Sequence, residues 1–120
     1  MSQPTFQQVF TIHGAVAANH IWAFAAPFGM TLVHVSMSNS SANAGTFDIG
    51  EAADADGWAD GKTMGVSYAI TELDAYSEFD GATAAGQYPH LDDGDICHVT
   101  IKDHNSHMAD PIVVLTWMPD

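Results

Sequence analysis

The sequence contains no arginine and only two lysines, Lys62 and Lys102, against fifteen aspartate and glutamate residues. Its formal net charge at pH 7 is therefore −13. Proteins that bind nucleic acid neutralise phosphates with lysine and arginine, and anionic membranes attract the same side chains. Phosphoryl transfer and carboxylate recognition usually need them too. The composition thus predicts no nucleic-acid partner and no membrane partner, and it favours an acidic, non-enzymatic surface protein.

Cysteine and long apolar runs are also scarce. A single cysteine, Cys97, excludes an internal disulfide and leaves no thiolate cluster for structural zinc. No apolar run approaches the length of a membrane span, and residues 1–5 lack the features of a secretory signal. We therefore expect a soluble protein made in a cytoplasm. With 120 residues, 47% of them apolar, residues 1–120 are expected to form a single domain.

Alternation of apolar and polar residues with a period of two dominates the chain, which predicts an all-β fold. The strongest strand is Met30–Ser38, in which Val33, Val35 and Met37 are expected to share one face. Roughly six to eight short strands separated by Gly, Asp and Asn turns are typical of an antiparallel β-sandwich or jelly roll. The other predicted strands are Phe6–His13, His20–Ala26, Thr46–Gly50 (Phe47 and Ile49 inward), Met64–Ile70, Ile96–Lys102 and Pro111–Met118.

The acidic segment Glu51–Gly61 has the composition of a loop and contains the best candidate metal site. Asp54, Asp56 and Asp60 could supply the carboxylate oxygens that calcium prefers. The spacing is not that of an EF-hand, because Gly57 occupies the fourth position rather than the sixth. A solvated acidic loop without an ion is the competing interpretation.

Trp58 lies within the same segment, between Gly57 and Ala59. In a loop, this side chain would be either an exposed binding anchor or a lid packed against the end of the sandwich. Trp22 and Trp117 occur in strand patterns and are expected in the core.

The remaining chemistry-bearing residues give no catalytic prediction. The cluster Asp92–Asp95 includes Gly94, so a β-turn is favoured over a glycosidase pair of carboxylates. Asp103, His104 and His107 outline a metal site that lacks a further identified ligand. Cys97 and His98 are adjacent in a predicted strand and face opposite sides, which makes them a poor nucleophile and base pair. The protein is therefore predicted not to be an enzyme.

The order of these motifs resembles the small β-sandwich head decoration (cement) and head-fibre proteins of tailed bacteriophages. The resemblance covers most of the chain after residue 20. The residues on which it rests are Ala26–Leu32 leading into Val33–Ser38, Gly45–Gly50, Asp54–Trp58, Tyr88–Leu91, Gly94–Ile96 and Ala109–Leu115.

The resemblance implies a non-enzymatic protein of the virion, located on the capsid surface after synthesis in the host cytoplasm. Its implied partners are the major capsid protein and copies of itself, in a homotrimer that bridges neighbouring capsomers. No cofactor is implied. Residues 1–8 would form an N-terminal arm, and the segment Ser2–Phe10 would bind a neighbouring copy by strand addition. The predicted interaction residues are Phe6, Val9 and Phe10, together with Trp58.

Two other functions remain open. A calcium-dependent carbohydrate-binding module would use Trp58 to stack on a sugar and Asp54, Asp56 and Asp60 to hold the ion. A small hydrolase using the aspartates is the third possibility.

Overall fold

The computed structural model describes residues 4–16, 19–42, 45–80, 87–102 and 108–120. This part of the chain forms eleven β-strands and one short 3-10 helix, Tyr76–Glu78. Seven of the strands have six or more residues. The strands are β1 (Phe6–Thr11), β2 (Ala15–Val16), β3 (His20–Ala25), β4 (Met30–Ser38), β5 (Thr46–Glu51), β6 (Asp54–Thr63), β7 (Thr71–Leu73), β8 (His90–Leu91), β9 (Ile96–Lys102), β10 (Met108–Ala109) and β11 (Ile112–Pro119).

The long strands form two sheets. The first has the order β1-β11-β4-β7, with β8 paired to another part of β4, and the second has the order β3-β9-β5-β6. β2 and β10 form a separate small pair. All pairs between these strands are antiparallel. The prediction of an all-β, antiparallel sandwich is confirmed.

The core lies between the two sheets and follows from the alternation within the strands. β9 alternates as predicted, with Cys97, Val99 and Ile101 buried. In β5, Phe47 and Ile49 are fully buried, which confirms their predicted inward orientation. The first sheet contributes fully buried residues from β4 and β11: Met30, Leu32, Val35, Val113, Leu115 and Trp117.

The bounds of β4 match the predicted strand, but its alternation changes phase in the middle. The prediction that Val33 shares a face with Val35 and Met37 is wrong. The register between β11 and β4 skips one residue at Val33, so that Leu32 and Val35 are both fully buried. A bulge of this kind opposes two residues to one and reverses the orientation of the side chains beyond it.

The acidic segment is a strand, so the prediction of a loop from Glu51 to Gly61 is wrong. β6 pairs with β5 in a hairpin whose turn is the dipeptide Ala52-Ala53. This dipeptide has none of the usual Asn-Gly or Asp-Gly hairpin signals, and aspartate and glycine have low strand propensity. Pairing with β5 overrides that propensity.

The segment after β6 shows the opposite difference, since a strand is predicted there and a turn is found. Met64–Ile70 was expected to be a strand, but Val66–Ala69 forms a turn in which Ser67 and Tyr68 have φ of 52° and 64°. The backbone N–H of Tyr68 donates to the carbonyl oxygen of Asn39 at 2.9 Å. This contact holds the turn against the end of β4, although a left-handed conformation is unfavourable for tyrosine.

The two lateral sides of the sandwich, the acidic side and the open side, differ in the contacts between the two sheets. The acidic side comprises β5, β6, β7 and residues 74–80. There the hydroxyl of Thr71 donates to the carbonyl oxygen of Thr63 at 3.0 Å. The backbone N–H of Asp80 donates to the carbonyl oxygen of Trp58 at 2.7 Å. Hydrogen bonds therefore connect the two sheets on this side.

The open side comprises the edge strands β1 and β3. The ring of Phe10 stacks on Trp22 and Phe24, with centroid distances of 5.5 Å and 6.0 Å, so these edges lie next to each other in opposite sheets. Within the described residues, β1 pairs only with β11 and β3 pairs only with β9. Each strand therefore has one backbone edge without a strand partner there.

Candidate interaction surfaces

The acidic side contains a group of three carboxylates that could hold a metal ion. Ligand oxygens of Asp48, Asp56 and Asp60 lie within 4.8 Å of one another. Asp56 and Asp60 come from β6, and Asp48 comes from the neighbouring strand β5. Asp48 is buried, with 5% of its surface exposed. The structure thus brings together two of the three predicted calcium ligands with one residue that the prediction missed.

The carboxylate of Asp48 already has partners within the chain. Its Oδ2 lies 2.6 Å from Nζ of Lys102, and its Oδ1 accepts a hydrogen bond from the backbone N–H of Gly61 at 2.7 Å. The hydrogen bond to Asp48 raises the pKa of Lys102 above its ordinary value. A cation from the chain itself therefore lies against this group of carboxylates.

Asp48 was detectable in the sequence. Phe47 and Ile49 are predicted to face inward, so Asp48 between them faces the other side of the sheet. Every second residue of a strand paired with β5 faces that same side. The prediction omits Asp48 because it assigns the partner strand, β6, to a loop.

Asp54 is separate from this group, but it lies next to Asp56. A side-chain hydrogen bond with Asp56 raises the pKa of Asp54. Repulsion from the nearby carboxylates of Asp56 and Asp60 acts in the same direction, because a like charge disfavours the ionised form. Binding of calcium by Asp54, Asp56 and Asp60 remains a prediction.

The second lysine also lies on the acidic side. Nζ of Lys62 is 3.3 Å from Oδ1 of Asp80, and the other oxygen of Asp80 accepts a hydrogen bond from the backbone N–H of Asp60 at 2.7 Å. Both lysines of the chain are therefore paired with aspartates of the same chain.

Trp58 is buried, with only 3% of its surface exposed, so its interpretation as an exposed binding anchor is wrong. Its ring lies edge-on to Trp117 with a centroid distance of 6.4 Å. The physical reason is the β6 hairpin, which directs Trp58 into the sandwich instead of into solvent. A groove of about 210 Å³ beside it is lined by Glu51, Ala53, Asp54, Gly57 and Trp58. Trp117 is fully buried as expected, whereas Trp22 is only half-buried, on the open side.

The Asp92–Asp95 segment is a turn, as predicted. The backbone N–H of Asp95 donates to the carbonyl oxygen of Asp92, and Oδ2 of Asp95 accepts from the backbone N–H of Asp92, both at 3.0 Å. Gly94 has φ of 88°, which suits glycine. Glu51 lies near this turn. Partial burial, followed by repulsion from Asp95 and Asp92, raises the pKa of Glu51.

Cys97 has the environment of an inert core residue. It is fully buried, and burial raises the pKa of its thiol to about 12. A nucleophilic cysteine needs a lowered pKa and access to substrate. Asp103, His104 and His107, the other predicted metal group, lie outside the described residues.

The open side places three of the predicted interaction residues on one strand. Val9 faces outward and is 59% exposed, while Phe6 and Phe10 face inward and are half-buried. On the neighbouring strand β3, Ile21 is 57% exposed. Neither strand contains Asp, Glu or Lys. The segment Phe6–Gln8 of the predicted N-terminal arm belongs to β1 and pairs with β11 of the same chain. Residues 1–3 of that arm lie outside the described residues.

Comparison with known proteins gives a likeness of fold. No family model matches the chain, and no curated protein matches it. A chain in the solved structure of the cyanophage Pam1 capsid asymmetric unit is similar, with a TM-score of 0.57 and 11% sequence identity. The match covers 98% of this chain and 84% of that chain. In the described part of the chain, no helix is long and apolar enough to cross a membrane.

Proposed function

We propose that this protein is a non-enzymatic structural component of a bacteriophage virion that decorates or cements the outer surface of the capsid. The observation that carries the proposal is the likeness over 98% of the chain to a protein in a cyanophage capsid asymmetric unit. The resemblance of the sequence to phage head decoration proteins supports the same role.

The distribution of charge indicates how such a protein would bind a capsid. Both lysines are paired with aspartates of the same chain, so neither is available to bridge an acidic partner. Binding to the major capsid protein is therefore proposed to use apolar and main-chain contacts. Exposed ion pairs weaken as salt screens them, whereas apolar contacts do not. We expect the complex to persist when ionic strength is raised well above the physiological value.

The test is to add purified, labelled protein to capsids assembled without it and to locate the label by electron microscopy. Binding at regular sites on the outer surface, retained in high salt, would support the proposal. A protein that stays free in solution, or that binds only inside the particle, would contradict it. The homotrimer implied by the resemblance is tested on the same particles by counting copies around each site.

A calcium-dependent carbohydrate-binding module is the second candidate. The grouping of Asp48, Asp56 and Asp60 within 4.8 Å favours it. Two observations weigh against it: the burial of Trp58, which leaves that ring unable to stack on a sugar, and the contact of Lys102 with Asp48.

Thermal unfolding with calcium and with a chelator, followed by a glycan array, distinguishes the two candidates. A ligand that binds only the folded state must raise the melting temperature. A calcium-dependent rise that disappears in Asp56→Asn, together with retention on a glycan, would establish the second candidate. An unchanged melting temperature in calcium would remove it.

A further inference from the structure

We propose that two copies of this chain associate through the open side, where their β1 strands pair antiparallel around a two-fold axis at Val9. The pairing would extend the β1-β11-β4-β7 sheet of one copy into the same sheet of the other.

The first reason is that β1 lacks the features that normally protect an edge strand. Natural edges are shortened, bulged, charged or interrupted by proline to prevent pairing with another chain. β1 has six residues in unbroken register with β11, and it contains no proline, lysine or acidic residue. Its outward N–H and C=O groups have no strand partner within the described residues.

The second reason is that the open side is the place where two copies can approach with the least repulsion. The net charge of −13 opposes association of like copies, and both lysines are already paired on the acidic side. A cationic partner would be drawn to the acidic side. The uncharged edge strands β1 and β3 instead fit a partner that presents the same uncharged edge, and a second copy does so.

The third reason is that the described residues cover the core only partly on this side. Phe10 and Trp22 stack between the two edge strands, and both remain half-buried. Val9 and Ile21 are exposed next to them. A second copy at this position would remove apolar surface from water on both sheets, which favours association.

The alternation of side chains limits the register of the proposed pair. Residues directly opposite each other in a sheet share a face, so an outward residue must pair with an outward residue. A two-fold axis at Val9 places Val9 opposite its own copy and Gln7 opposite Thr11, all on the exposed face. On the inner face, Phe10 lies opposite Gln8. A shift of one residue would place Val9 opposite Gln8 and mix the two faces.

The first experiment measures the mass of the full chain by sedimentation equilibrium over a range of protein concentrations. We expect a dimer, and we expect Val9→Lys to weaken association more than ten-fold, because two ammonium groups would meet at the axis. Ile70→Lys is the matched control, because Ile70 is 65% exposed outside the open side and the change in net charge is the same.

Salt provides a second readout of the same association. Since the contact is uncharged and the rest of the molecule is acidic, added salt should strengthen the dimer by screening repulsion. A monomer at all concentrations and salt levels would overturn the proposal. An oligomer that responds equally to Val9→Lys and Ile70→Lys would also overturn it.

The second experiment tests the register with Val9→Cys. Opposite residues have Cβ atoms close enough for a disulfide, whereas Thr11 and its copy would be roughly 14 Å apart in this register. Mild oxidation should therefore link Val9→Cys into a covalent dimer much faster than Thr11→Cys. The native Cys97 does not interfere, because it is fully buried. Equal rates for the two variants would exclude this register.

This inference concerns the free protein and does not rest on the virion role. A chain that forms the dimer but ignores capsids would contradict the proposed function alone. In a two-fold contact the same edge of both copies is occupied, so no third copy can bind there. A trimer on the capsid would therefore need a different surface.

Discussion

The acidic side and the open side close the same sandwich by different means. On the acidic side, hydrogen bonds and lysine–aspartate pairs connect β6, β7 and the segment that follows. On the open side, the contact between β1 and β3 is the stacking of Phe10 on Trp22 and Phe24. The acidic side is therefore held together within the chain, whereas the open side leaves apolar surface and backbone edges available to a partner.

The two sides also differ in the number of acidic residues on their strands. Five of the acidic residues lie on β5 and β6, which belong to the second sheet: Asp48, Glu51, Asp54, Asp56 and Asp60. In the first sheet, the strands β1, β4, β7 and β11 contain one acidic residue, Glu72. A net charge of −13 thus coexists with a nearly neutral sheet and a neutral edge.

The largest expected effect comes from removing a large side chain on each side. Trp58→Ala should lower the free energy of unfolding by about 3–5 kcal/mol, because the indole is buried against Trp117 and its removal leaves a cavity. Phe10→Ala should cost about 2 kcal/mol or less, because Phe10 is only half-buried.

Urea denaturation of both variants measures the difference. It is best carried out at low protein concentration, where association through the open side contributes least. A larger loss for Phe10→Ala than for Trp58→Ala would show that the open side is the better packed of the two, contrary to the comparison.

The next effect concerns the two lysine pairs on the acidic side. Lys102→Met should lower the free energy of unfolding by about 2 kcal/mol, because it leaves the buried carboxylate of Asp48 with the N–H of Gly61 as its remaining partner among the described residues. The ammonium of Lys102 is partly exposed, which keeps the cost below that of a fully buried pair. Lys62→Met, which breaks the more exposed pair with Asp80, should cost less than about 1 kcal/mol.

The pH dependence of this pair has a defined sign. The folded state raises the pKa of Lys102 above 10.5, so the stabilisation is fully present below that pH and is lost as pH rises through the folded pKa. Lys102→Met should therefore differ from the native protein less in strong alkali than at neutral pH. The double variant Asp48→Asn with Lys102→Met should recover stability, since it removes the uncompensated charge. Failure of this recovery would show that the loss came from the lysine stem and not from the charge.

How much could be predicted from the sequence depended on whether a strand has apolar residues in alternation. β4 and β9 were identified with their bounds, because valine, methionine and isoleucine alternate there with smaller or polar residues. β6 could not be identified, because its aspartates and glycines resemble a loop and only pairing with β5 makes it a strand. The bulge at Val33 was equally hidden, since it arises from the register with β11.

The site residues show the same limit. Asp56 and Asp60 form a local cluster in the sequence, but their grouping with Asp48 and Lys102 depends on three adjacent strands of one sheet. The sequence does not distinguish exposure from burial for Trp58, because the answer follows from the orientation of the hairpin. Val9 and Phe10 were placed in an arm, and the structure gives them a partner strand in the same chain.

The smallest expected effect tests the repulsion between Glu51, on the acidic side, and the turn Asp92–Asp95. The folded state raises the pKa of Glu51, first through partial burial and then through repulsion from Asp95 and Asp92. A carboxyl with a raised folded pKa is destabilising when it is ionised, so this cost is present above the folded pKa and absent below its ordinary value of 4.5. Glu51→Gln should therefore raise stability at pH 7 by about 0.5 kcal/mol and have no such effect below pH 4.5. Asp93→Asn, in the exposed turn next to Glu51's acidic neighbours, is the control for simple removal of one charge. If both variants stabilise equally at pH 7, net charge alone accounts for the gain, and the crowding of carboxylates around Glu51 does not.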